Sequence, residues 1–228
     1  MIDSIRKRID QTAISVNRRP EEIKLVVVSK KQSIDAILEL YRLGIRDFGE
    51  SRVQEAKEKQ LALPQDISWH LIGSLQSNKV RKAVGSYSLI HSVDSLELAQ
   101  KIDLVSAELG VVTQVLLEVN TSNEFSKHGM TIENIEQNFS IFLAFKNLRV
   151  CGLMTMAPEY KQFNLEEEKL TRSYFASLKA LQGKFCRLYP TIQNQFKELS
   201  MGMSQDFEIA IQEGATIVRI GSAIFSMP

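Results

Sequence analysis

The chain has 228 residues, 44% of them hydrophobic and 24% charged, with a formal net charge of +1. That length buries a full core, and so even a charge balance provides no global attraction to nucleic acid or to an anionic membrane. The apolar runs are too short for a bilayer, the start MIDSIRKRIDQTAISV has no secretory apolar core, and Cys151 and Cys186 make no disulfide framework, so the expectation is a cytoplasmic protein.

An amphipathic opening predicts a helix over about Asp3–Val16. Short β-branched runs then alternate with longer amphipathic ones. IKLVVVS precedes a helical pattern over Ser33–Leu43, RDFG precedes Arg52–Leu63, and ISWHLI precedes Asn78–Val84. YSLIHSV leads into Ser95–Leu109, TQVLLEVN into Ile132–Phe145, and LRVCGLM into Leu165–Tyr189. KELSM leads into Gln205–Glu213, and TIVRIG is the last strand. Ser33, Ser77, Ser95, Thr131 and Ser204 stand where helix caps are needed. Gly44, Gly110 and Gly214 stand where helices close in the left-handed region.

Eight nearly all-apolar strands alternating with helices suit parallel strands buried on both faces. Two architectures have that pattern, an open doubly wound sheet and a closed barrel. The strand count and a length near the ~250 residues of such barrels favour the barrel. SKKQS after the first strand has no glycine, whereas a dinucleotide fold wants G-x-G-x-x-G there. The expected fold is a single α/β domain over residues 1–228, a (β/α)8 TIM barrel with an extra N-terminal helix.

In this fold the chemistry gathers at the C-terminal ends of the strands. The first strand ends in Ser29–Lys30–Lys31. Val26, Val28 and Lys30 share one face and Leu25, Val27, Ser29 and Lys31 the other, and alternation leaves open which set faces inward. The last two strands run into SMGMSQD and RIGSA, where backbone N–H groups and the hydroxyls of Ser200, Ser204 and Ser222 form a phosphate cradle. A strand-borne lysine facing such a cradle is what pyridoxal phosphate requires. Taken one at a time, these residues have plainer readings. Lys30 alone is a solvated strand-end lysine, Arg219 alone a structural arginine pairing with Glu118 or Asp206, and the methionines of this region gap-fillers. His70, His91 and His128 lack metal-ligand spacing, and His70 receives no role.

In order along the chain, LVVVSK, FGESRVQEA, WHLIGSLQSNK, SKHGM, LRVCGLMTM, ELSMGMSQDFEIAI and ATIVRIGSAIF resemble the signatures of the YggS/PROSC family. These are pyridoxal-phosphate homeostasis proteins similar to the N-terminal barrel of alanine racemase. The resemblance implies pyridoxal 5′-phosphate as cofactor, with Lys30 bonded to it as a Schiff base. It implies Arg219 at the pyridine nitrogen, and Ser200, Gly221 and Ser222 at the phosphate with help from the Met203–Ser204 turn. Ser51 departs from the asparagine usual after the motif glutamate, and FSMP departs beyond the last motif.

The function expected is holding and delivering the cofactor without dedicated turnover. Partners are then the recipient apo-enzymes, the state a monomer, and neither nucleic acid nor membrane is involved. The alternative is an amino-acid racemase. Racemisation needs acid and base on opposite faces, and Lys30 serves one. The racemases resembled here take their second group from an additional domain that this sequence is not expected to have. Tyr160 is the remaining candidate.

Overall fold

The computed structural model describes residues 2–122, 124, 128–160 and 163–225. Part of the SKHGM motif and the closing residues 226–228 lie outside them. The helix α1 (Ile2–Ser15) leads into β1 (Lys24–Val28), α2 (Ile34–Arg42), β2 (Asp47–Glu50), α3 (Val53–Ala62) and β3 (Ser68–Leu71). There follow α4 (Val80–Ala83), β4 (Leu89–Val93), α5 (Leu96–Leu109), β5 (Thr113–Glu118), α6 (Ile132–Ala144) and β6 (Leu148–Met154). The chain continues through α7 (Leu165–Leu188), β7 (Glu198–Ser200), α8 (Phe207–Gln212), β8 (Ile217–Ile220) and the short α9 (Ser222–Phe225).

The strands pair in sequence order and the sheet closes, with β1 parallel to β8 in the register Val26↔Arg219. This is the expected eight-stranded barrel. One apolar cluster consists of Val26, Leu89, Leu116, Cys151, Met154 and Ile217, all on strands and none on a helix. It fills the inside of the barrel. The larger cluster, which takes in Val27, Phe48, Leu71 and Ile90, includes the buried faces of the helices and is the layer between them and the sheet. Val26 is therefore inward and Val27 outward, which settles the alternation: the face shared by Val26, Val28 and Lys30 looks into the barrel.

The caps divide. Ser33, Ser95 and Thr131 accept from first-turn N–H groups as expected, and Gly44, Gly110 and Gly214 all take positive φ. Ser77 does not cap: its segment opens as a 3-10 turn after Gln76. Nor does Ser204, whose helix starts later, behind Asp206. The strongest cap is one the pattern did not single out. Asn164 accepts from Glu166 and Glu167 while the Glu167 carboxylate accepts from the Asn164 N–H, a reciprocal capping box on the longest helix.

The outer helix α1 is tied to α8 by a two-pronged Arg8–Glu208 contact at 3.0 and 2.9 Å, with the Arg8 guanidinium 4.7 Å over the Phe207 ring. On the sheet, a Cβ at position 152 would stand 1.9 Å from the Glu198 carbonyl oxygen. Gly152 is thus required for β7 to close against β6.

Candidate functional site

A cavity of about 330 Å³ opens at the C-terminal ends of β1 and β8 and the loops after β6 and β7. Lys30, Met203, Ser204, Arg219, Gly221 and Ser222 all line it. Six of the seven residues expected at the site thus meet in one place. The seventh, Ser200, is fully buried behind Arg219 and does not line the cavity. The acidic residues Glu159 and Asp206 also stand in the wall.

Lys30 lies two residues past the end of β1, exposed at the cavity. The next residue, Lys31, adopts φ 63, an unusual left-handed conformation for a lysine. It turns the chain away, and Lys31 is not in the cavity wall. A buried polar cluster holds the backbone just before Lys30. The Ser29 hydroxyl donates to Glu50 Oε1 at 2.7 Å, and Lys59 Nζ donates both to that oxygen and to the Ser29 carbonyl, each at 2.7 Å. The Glu50 side chain is fully buried, and its Oε2 has no hydrogen-bond partner among the described residues.

Lys59 was not legible as a site residue, since VQEAKEKQLA looks like a solvated helix. One signal was available. Ala56, Lys59 and Leu63 are all buried, and their spacing of three and four puts the lysine on the apolar stripe.

Arg219 is also buried, and burial pushes its pKa down to about 10, against the favourable charges of Asp206 and Glu118. It stays a cation at neutral pH. Nη1 donates to Ser200 Oγ at 2.6 Å and Nη2 to the Thr155 carbonyl at 3.0 Å. Neither Glu118 nor Asp206 makes the ion pair that a purely structural arginine would have had. Behind Ser200 the polar contacts continue, from Ser200 Oγ to His91 Nδ1 (2.8 Å), His91 Nε2 to His70 Nδ1 (2.9 Å), and His70 Nε2 to Asp47 Oδ1 (2.9 Å). His70, left without a role by the sequence, is a link in this chain.

On the opposite wall the Ser222 hydroxyl donates to Ser204 Oγ at 2.9 Å, and the Asp206 carboxylate accepts the Met203 N–H at 2.5 Å. Ser204, misjudged as a helix cap, is thus free of that task and faces the cavity. A Cβ at Gly221 would lie 3.0 Å from the Val28 Cβ and 3.1 Å from the Val28 carbonyl oxygen. A larger residue here would have to push this loop a few tenths of an ångström off β1. An amine, two hydroxyls and a buried guanidinium converging on one cavity suit a ligand with an anionic group, a carbonyl carbon and a ring acceptor. The described residues hold no cluster of side chains able to bind a metal ion.

Glu118 ends β5 almost wholly buried, and burial, reinforced by the charge of Asp94 and opposed by that of Arg219, pushes its pKa up to about 7. A carboxyl group whose folded pKa exceeds its unfolded one holds a proton in the fold that the unfolded chain has released. Stability should therefore fall as pH rises from about 4.5 to about 7, a cost on the order of 3 kcal/mol at 1.36 kcal/mol per unit. Glu118→Gln should remove that slope. Urea unfolding of both proteins at pH 5 and pH 8 checks it, and equal pH dependence in the two would place the slope elsewhere.

Residues 2–227 match the model of the alanine racemase N-terminal domain. A pyridoxal phosphate homeostasis protein of Aquifex aeolicus is 40% identical over 225 residues, covering 98% of this chain and 95% of the relative. One of the same description from Escherichia coli is 37% identical over 230 residues, covering 97% and 92%. Among solved structures, PipY of Synechococcus elongatus with PLP bound superposes with a TM-score of 0.82 at 36% identity, covering 96% of this chain and all of that one. Alanine racemase of Clostridium difficile shares the fold, with a TM-score of 0.74 at 15% identity, but this chain spans only 57% of it.

Proposed function

The chain belongs to the family of pyridoxal phosphate homeostasis proteins built on the alanine racemase N-terminal domain, and from that premise we propose that it holds pyridoxal 5′-phosphate and hands it on to recipient apo-enzymes in the cytoplasm, as a monomer, without dedicated turnover. The observation that carries the reading is the single cavity in which Lys30, Arg219, Ser204 and Ser222 converge. When bound, the cofactor supplies an electrophilic carbonyl carbon and a ring able to draw electrons from a carbon attached to it.

The chain's own residues divide the work. Lys30 offers its amine to the carbonyl carbon. Arg219 would offer its remaining N–H capacity to the ring nitrogen, and because a guanidinium does not give up its proton that nitrogen would stay unprotonated. Ser204, Ser222 and the close-packed Gly221 receive the phosphate, and Asp206 shapes that loop by holding the Met203 N–H. Ser200 acts through Arg219, since its hydroxyl is occupied between Arg219 and His91. Holding rather than turning over is supported by the second face: inversion needs another proton donor there. Tyr160 packs beside Phe163, with ring centroids 6.1 Å apart, and Phe163, not Tyr160, is in the cavity wall.

The test uses the cofactor-loaded protein in two assays. Mixed with an apo-aminotransferase it should restore activity, faster than the same amount of free cofactor released by dilution. Given L-alanine, it should not invert it at ordinary enzyme rates, about 1 per second or more. Such turnover, lost in Lys30→Ala, would make the protein a racemase.

A further inference from the structure

Protons can be placed on the contacts behind Arg219 so that every donor meets an acceptor. A guanidinium donates and never accepts, so Ser200 Oγ accepts from Arg219 Nη1. The serine's one proton then goes to Nδ1 of His91, 2.8 Å away. Burial, reinforced by the charges of Arg219 and Lys24, pushes the His91 pKa well down, so the ring is neutral, and with Nδ1 accepting from Ser200 its proton sits on Nε2. It donates to His70 Nδ1, and His70 Nε2–H donates in turn to Asp47 Oδ1. Every link has one donor and one acceptor, and the two ends are a fixed cation and a carboxylate.

The chain also spans the barrel. Arg219 lines the cavity at the C-terminal ends of the strands. Asp47, the first residue of β2, and His70 line a second cavity, of about 320 Å³, together with Lys24, Arg149, Cys151, Lys197 and Glu198. That cavity takes in the first residues of β1, β2, β3, β4, β7 and β8, and so lies at the opposite pole.

We propose that Asp47, His70 and His91 are positioning residues that hold the Arg219 guanidinium in its pose, through Ser200, from the far pole of the barrel. The consequence for the cofactor rests on the reading of Arg219 given above, but the relay itself does not. The carboxylate at Asp47 is what sets the direction. An amide in its place can donate to His70 Nε2, which lets both imidazoles turn their protons to Nδ1. Ser200 would then receive donors from His91 and Arg219 together, and its own proton would lose its acceptor.

The groups around Asp47 favour the ionised form. His70 from β3 donates to it, Lys24 of β1 lies 3.7 Å away, and Arg149, Lys197 and Glu198 from the β6 and β7 side share the cavity. Burial raises the Asp47 pKa, but the His70 hydrogen bond and the charge of Lys24 outweigh it, and the net shift is downward. The relay is therefore polarised throughout the neutral range and loses its anchor only in acid, as pH falls through that lowered value.

The test is imidazole and guanidinium ¹⁵N NMR on the cofactor-free protein near neutral pH. In the wild type, His70 and His91 should both be Nε2–H tautomers, and an Arg219 guanidinium N–H should exchange slowly with solvent. Asp47→Asn should shift one or both rings toward Nδ1–H and speed the Arg219 exchange roughly two- to tenfold, the worth of one hydrogen bond. Cofactor affinity should fall by the same factor, with Lys30 still labelled by borohydride. Should that variant not fold, Ser200→Ala serves. It keeps His70 as Nε2–H, anchored on Asp47, while Arg219 exchange quickens. An Nδ1–H tautomer in the wild type, or Arg219 exchange unchanged in the variants, overturns the relay. A wild type that binds no cofactor sinks the function proposed above and leaves the tautomers and the exchange to decide this inference.

Discussion

Lys30→Ala is expected to abolish the visible absorption band of the cofactor-loaded protein completely, leaving only weak non-covalent binding. Among the described residues, Lys30 carries the only side-chain amine in the wall of the cavity that holds Arg219, Ser204 and Ser222. Its neighbour cannot substitute, because the left-handed turn at Lys31, with φ 63, carries that side chain away. Borohydride reduction followed by peptide fragmentation reads the outcome directly, since the label should sit on Lys30 and not on the adjacent Lys31. A label on Lys31, or a band that survives in Lys30→Ala, would move the site. The residual binding is informative too, for it measures what Arg219 and the serine loop contribute without the covalent link.

The largest effect on stability should come from Lys59→Ala. Glu50 is a fully buried carboxylate whose only cation among the described residues is Lys59, at 2.7 Å, and the burial of that pair is nearly complete, with the lysine side chain 11% exposed. Breaking a buried pair from one side leaves an uncompensated charge and costs roughly 3–5 kcal/mol. For a chain of this size that lowers the melting temperature by about 6–20 °C. Removing both charges, as in Lys59→Met with Glu50→Gln, should recover much of the loss, because the desolvated carboxylate is gone. Thermal unfolding of the single and double variants checks this, and a single variant within about 1 kcal/mol of the wild type would show that Glu50 carries no charge needing Lys59. The cluster also fixes the Ser29 carbonyl and hydroxyl. Lys59→Ala should therefore slow the labelling of Lys30 even at temperatures where the barrel stays folded.

How far the sequence reached depends on how local each feature is. The eight strands, their order and most helix bounds came from apolar periodicity, which is a property of neighbouring residues. The Ser33, Ser95 and Thr131 caps came from the same short range, since each bond spans three residues. Ser204 was misread because its position before a helical pattern mimics a cap. Only the fold shows it bonded across 18 residues to Ser222.

The lysine pair shows where local pattern stops. Alternation placed Lys30 with Val26 and Val28, but the two faces of a doubly buried strand are equally apolar. The packing of the closed barrel, with Val26 in its interior cluster and Val27 in the layer under the helices, decided which face looked inward. The resemblance to a family, carried by motifs in order, named Lys30, Arg219 and the serine loop. It also put Ser200 at the phosphate, whereas barrel closure buries that hydroxyl against Arg219 and His91. His70 and Asp47 lie 23 residues apart, and His91 and Ser200 lie 109 apart. Those contacts depend on the register of four strands and on which side chains the pleat turns inward. Neither is written in any short stretch of chain, because a hydrogen bond across a barrel is fixed by the geometry of closure and not by the residues on either side of it.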